Sequence, residues 1–75
     1  MERAEVLAVV RDKATLVLGV ENISEELPLV DVDSLALVEL VMDLEDAYGI
    51  DLSEAEVAGA GTVGGLVDLV LAKSG

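Results

Sequence analysis

Few side chains in this 75-residue sequence could do chemistry, and the most suggestive is a serine. Ser34 stands between Asp33 and Leu35 at the head of a long amphipathic segment. A serine becomes a nucleophile when a neighbouring base takes its proton. The sequence contains no histidine and no cysteine, and no lysine lies near Ser34, so a hydrolase serine is excluded. The hydroxyl can still be a modification site, provided an outside enzyme brings the base and a phosphate-bearing donor. Its ordinary role is equally plain. Asp and Ser at helix starts accept hydrogen bonds from unpaired backbone N–H groups, and Asp-Ser-Leu alone is more often a cap than a site.

The remaining candidates carry less. Glu39, Asp43, Glu45 and Asp46 suggest paired-carboxylate work, but acid–base catalysis needs a pocket that drives two pKa values apart. A wet helix face offers none. Asp31-x-Asp33 begins like a calcium loop, yet Leu35 and Ala36 replace a ligand and the turn glycine, and Met42 replaces the bidentate glutamate. An EF-hand is excluded; loose divalent-ion binding by the clustered carboxylates stays open. Gly59-x-Gly61-x-x-Gly64 matches the dinucleotide fingerprint as a string, but no strand precedes it. It reads as two helix ends meeting.

The element that must position Ser34 runs from Asp31 to Tyr48. Leu37, Leu40, Val41, Leu44 and Tyr48 follow helical spacing and share one face. Glu39, Asp43 and Asp46 fall opposite, and Leu35 and Met42 land among them. Two large apolar side chains beside three carboxylates point to a docking face.

Around it the sequence predicts a small all-α bundle of three main helices plus one short helix. The first spans Glu2 to about Leu18, with Val6, Val10, Ala14 and Val17 in one stripe, Leu7 and Leu18 beside it, and Gly19 as C-cap. A loop then runs from Gly19 to Val32 around Pro28, which Ile23, Leu27 and Leu29 could pin down. Gly49 closes the central helix. Ser53-Glu54-Ala55-Glu56 fits a capping box that starts the short helix, ending near Gly59. Thr62 is the expected N-cap of the last helix, with Val63, Leu66, Val67, Val70 and Leu71 inward. Gly64 and Gly65 in its first turn each cost roughly 1 kcal/mol against alanine, which predicts a loose start.

Composition bounds the rest. Sixteen acids against four bases give a net charge of −12, which repels nucleic acid and anionic membranes and attracts basic surfaces. Tyr48 is the lone aromatic, so the core is aliphatic. Glu2 and Glu5 stand where a signal peptide would be basic, and Arg11, Asp12 and Lys13 interrupt any apolar run. A soluble, cytoplasmic protein is expected.

These residues together resemble the acyl carrier proteins. Asp33-Ser34-Leu35, reached from a long loop, heads the acidic run Leu-Ala-Leu-Val-Glu-Leu-Val-Met-Asp-Leu-Glu. The likeness extends to Leu18-Gly19-Val20, to the Tyr-Gly-Ile-Asp-Leu exit and to Thr62-Val63, so it covers nearly the whole chain. There are departures. The family usually has Leu-Gly shortly before the Asp-Ser pair; here Leu29-Val30-Asp31-Val32 stands there. Ala36 and Leu37 make the first turn less acidic than in fatty-acid carriers, and the loop before Ser34 is shorter. Asp-Ser-Leu-Ala-Leu followed by Tyr-Gly-Ile is more similar to carriers of polyketide or related assembly lines.

The resemblance implies a single acyl carrier domain over residues 1–75 that is no enzyme. It implies a 4′-phosphopantetheine arm on Ser34, with Asp33 and Leu35 beside it, and a partner face of Leu35, Glu39, Met42, Glu45 and Asp46. Asp43 joins that face by periodicity. The implied partners are a phosphopantetheinyl transferase, then ketosynthases, acyltransferases or other acyl-processing enzymes with basic patches. No nucleic acid, membrane or metal is implied, and a monomer is expected. A fatty-acid carrier, an aminoacyl carrier and an unmodified helical interaction module are the alternatives.

Overall fold

A computed structural model describes residues 1–75 as four α-helices: α1 (Arg3–Leu18), α2 (Ser34–Tyr48), α3 (Glu54–Ala60) and α4 (Val63–Ser74). The expected bundle of three main helices and one short one is the observed architecture. Its centre is thirteen buried side chains, all apolar. α1 contributes Val6, Val10 and Ala14 at four-residue spacing, and α2 contributes Leu40 and Leu44. Leu37, Val41 and Tyr48 pack half-buried against the same core. α4 is the most enclosed helix, with Val63, Leu66, Val67 and Val70 fully covered. No helix is long and apolar enough to cross a membrane.

Helix ends follow elementary backbone accounting. α1 and α2 stop where Gly19 and Gly49 enter the left-handed region at φ 68° and 63°, a conformation that costs glycine nothing. The capping box of α3 is present: the Ser53 hydroxyl accepts from the Glu56 N–H at 3.1 Å, and the Glu56 carboxylate accepts from the Ser53 N–H at 3.0 Å. Thr62 caps α4, its hydroxyl accepting from the Gly65 N–H at 3.0 Å.

The loop from Gly19 to Val32 is less plain than expected. Ile23 and Leu29 are buried and Leu27 is half-buried, and the Arg11 Nε–H donates to the Ile23 carbonyl at 2.9 Å. Its last part, Leu29–Asp31, forms one turn of 3-10 helix that delivers the chain to Ser34. Between Pro28 and Ser34 no residue has a positive φ. The family's usual glycine is therefore not required by this approach.

The start of α4 corrects the expectation of looseness. The Val63 and Gly64 N–H groups donate to the loop carbonyls of Leu27 and Glu25 at 3.0 and 2.7 Å. A Cβ on Gly64 would lie 3.2 Å from the Glu25 carbonyl oxygen, and one on Gly65 would collide with the carbonyl oxygen of Ala60. The two glycines are there for close approach, and their conformational cost is offset by tertiary hydrogen bonds. Gly61, at φ 75° between α3 and α4, completes the turn, which is the meeting of helix ends anticipated for the glycine string.

Candidate functional site

Ser34 is the first residue of α2 and is exposed. Asp33 takes the N-cap position but its side chain makes no capping hydrogen bond. The Ser34 hydroxyl has no partner either, so the ordinary capping role is not performed by either residue. The N–H groups of Ser34, Leu35 and Ala36 find no acceptor within the chain; the first such bond on α2 runs from the Leu37 N–H to the Asp33 carbonyl at 2.9 Å. Three free donors and the positive end of the helix dipole favour a negatively charged group at that hydroxyl. The contrast with α3 and α4, both capped by hydroxyls, is direct.

From this end a groove of about 620 Å³ runs between α2 and α3. On α2 its wall is Ser34, Leu37, Val38, Val41, Met42 and Glu45, one helical stripe; on α3 it is Glu54, Val57 and Ala58, with Gly61 just past the helix end. Leu29, Val30 and Val32 of the approach complete the near end. The groove is apolar apart from the serine hydroxyl and two carboxylates. Charge spacing alone does not point to it. The available signal is the exposed apolar pair Val38 and Met42 at i, i+4 spacing, and Val38, which is half exposed, belongs to the groove although the docking-face pattern does not include it. Val30, 90% exposed, is a second lining residue outside that pattern.

The outer face of α2 has the expected acids. Glu39, Asp43 and Asp46 are exposed and form no ion pair, and Leu35 and Met42 among them are 74% and 56% exposed. Met42 thus touches both the outer face and the groove. Glu45 has a different setting. It is half-buried, and its carboxylate accepts from the Leu52 N–H at 2.8 Å, tying the end of α2 to the start of α3. No three carboxylates converge closely enough to hold a metal ion.

The bases lie elsewhere. All four are Arg3, Arg11, Lys13 and Lys73, so residues 14–72 contain none. Arg3 bridges Glu25 at 2.6 Å and Asp68 at 2.7 Å, and Lys73 bridges Glu56 at 2.6 Å. These pairs hold the Glu25 carboxyl below its ordinary range and pull that of Glu56 down to about 2. None of these ion pairs involves a residue of α2.

Residues 6–70 match the family described as phosphopantetheine attachment site. The acyl carrier protein of Thermotoga maritima is 36% identical over 78 aligned positions, covering 97% of this chain and 96% of that protein. Among solved structures, the acyl carrier protein of Enterococcus faecalis superposes with a TM-score of 0.77 at 29% identity, over 99% of this chain and all of that one (100%). The holo acyl carrier protein of Geobacter metallireducens superposes with a TM-score of 0.74 at 27% identity, covering 91% and 84%.

Proposed function

This chain belongs to the acyl carrier protein family, and from that premise we propose that Ser34 is the residue to which its 4′-phosphopantetheine is joined. The chain is a carrier and not a catalyst. With no cysteine of its own, it takes its thiol from the arm, which when bound holds acyl groups as thioesters. The observation that carries the assignment is the unpartnered, exposed Ser34 hydroxyl at an open helix N-terminus beside an apolar groove. A transferase moves the arm from coenzyme A to that hydroxyl: the Ser34 oxygen bonds to the arm's phosphorus, the pyrophosphate P–O bond breaks, adenosine 3′,5′-bisphosphate leaves, and a base of the transferase takes the serine proton. The chain's free N–H groups at Ser34, Leu35 and Ala36 then stabilise the phosphate charge.

The rest of the reading follows from the two sides of α2. Its outer face, Leu35, Glu39, Met42, Asp43 and Asp46 with Asp33 at the tip, meets acyl-processing enzymes. Carboxylates speed and orient the encounter with basic patches, and the two apolar side chains anchor it weakly enough to release. Glu45 belongs to the edge of that face through its free oxygen. The groove between α2 and α3 shelters the acyl chain. The whole of residues 1–75 acts as one carrier domain, working as a monomer in the cytoplasm. The cargo is of the polyketide type or a related one, as the Asp-Ser-Leu-Ala-Leu and Tyr-Gly-Ile segments suggest; mass spectrometry of the species loaded in the native host identifies it.

The central test is incubation of the unmodified protein with coenzyme A and a phosphopantetheinyl transferase, read by intact mass. The native protein gains the mass of the arm and Ser34→Ala gains nothing. An unmodified native protein would overturn the assignment, and a modified Ser34→Ala variant would move it to another residue.

A further inference from the structure

The groove has two chemically different ends. α2 lines it with Ser34 at one end and Glu45 eleven residues on, which is about 16 Å along a helix. α3 runs the opposite way past it. Its last turn lies near Ser34, because the Leu29 N–H of the approach segment donates to the Gly61 carbonyl at 2.9 Å. Its first residue, Glu54, follows closely on Leu52, whose N–H donates to the Glu45 carboxylate. Glu45 and Glu54 therefore both belong to the end of the groove away from the tether, and the lining between includes the aliphatic Val41 and Val57. Neither carboxylate takes part in an ion pair.

We infer that this anionic far end selects the acyl cargo by the charge of its terminus, so that chains ending in a carboxylate are kept out of the groove while neutral ones settle in it. The inference rests on the groove being the shelter of the tethered chain. A carboxylate entering beside Glu45 and Glu54 meets like charge at contact range, and one such pair at about 4 Å in water is worth about fivefold in the bound-to-free ratio. Chains with a carboxylate terminus consequently stay in solvent, accessible to whatever enzyme acts on that end. Neutral chains are withdrawn from it.

The experiment loads the protein with two cargoes of one length, a medium-chain diacid attached through one end and its ω-amide, each delivered from the coenzyme A thioester by the transferase. Backbone amide shifts of Val41, Val57 and Ala58, compared with the unacylated holo protein, report entry. The expected result is that the ω-amide shifts these signals and that the carboxylate populates the groove about fivefold less. The gap closes in the Glu45→Gln, Glu54→Gln double variant, and it narrows in 1 M salt, where screening acts within about 3 Å. The amide introduced by Glu45→Gln retains an oxygen to accept from the Leu52 N–H, and circular dichroism verifies the fold. Equal entry of both cargoes overturns the inference and leaves the shelter intact. A gap that survives in the double variant assigns the exclusion to desolvation of the carboxylate and also overturns it. If neither the ω-amide nor a plain saturated chain shifts the three amides, the shelter falls and the selection with it.

Discussion

The molecule's two sides solve the problem of a −12 charge in opposite ways. Where α1 meets the long loop and α4, opposite charges are brought together: Arg3 binds Glu25 and Asp68, and the Lys73 bridge to Glu56 joins α4 to α3. That side also contributes Val6, Val10, Leu66 and Val67 to the fully buried core, which α2 shares through Leu40 and Leu44. On the α2 side, Glu39, Asp43 and Asp46 have no partner in the chain, and apolar side chains are left in solvent. Under the proposed function, the difference separates the side that gives stability from the side that gives recognition. One side pairs its charges within the chain; the other leaves its carboxylates unpaired, as the proposed docking role requires. Variants on the first should cost stability and spare recognition, and variants on the second should do the reverse.

The largest expected effect tests the shared core. Leu44, fully buried on the inner face of α2, should cost roughly 2–5 kcal/mol when changed to alanine, measured by urea unfolding. Against a total of about 4–11 kcal/mol for a domain of this size, that approaches loss of the fold. Next comes a contrast between glycines. Gly65→Ala forces a Cβ onto the Ala60 carbonyl and should destabilise by about 1–3 kcal/mol. Gly59→Ala in α3, where a Cβ meets nothing within 4 Å, should stabilise by about 0.5–1 kcal/mol. If both substitutions stabilised, the tight junction between α3 and α4 would be disproved.

A third prediction concerns the outer face alone. Reversing charge at Glu39 and Asp43 to lysine should slow association with a basic partner enzyme by roughly tenfold at low salt, as followed by stopped-flow. The melting temperature should hold or rise slightly, because self-repulsion is relieved. A large fall in melting temperature with unchanged association would reverse the roles of the two sides. The smallest effect is on pH. Glu25 and Glu56 have depressed carboxyl pKa values in the folded state, Glu56 down to about 2 from an ordinary 4.5. A depressed folded pKa gives stability that is complete above the unfolded value and fades as pH falls toward the folded one. The urea midpoint should therefore decline between about pH 4.5 and 2, and Lys73→Gln should make that decline shallower. Both groups are solvent-facing, so the change is modest.

Much of this was legible because it depends on spacing and local backbone chemistry. The helical stripe from Leu37 to Tyr48, the Ser53 capping box and the Thr62 cap are written in residues within a few positions of one another. The expected site came from the same short-range reading, with Ser34, Leu35 and Met42 drawn from one helix. What escaped depends on contacts between distant segments. Gly64 and Gly65 look costly in isolation, and only the loop carbonyls of Glu25 and Leu27 reveal their purpose. Glu45 looks like one more surface acid until the turn after α2 brings the Leu52 N–H to it. The groove needs two helices side by side, and no pattern within α2 indicates which of its residues α3 will face.

Tyr48, the single aromatic residue, packs half-buried at the C-terminal end of α2. With no tryptophan or second tyrosine to compete, all of the protein's near-ultraviolet emission originates at that one ring. Any loosening of α2 from the core, whether by cargo, partner or denaturant, can therefore be followed optically on the native chain without attaching a dye.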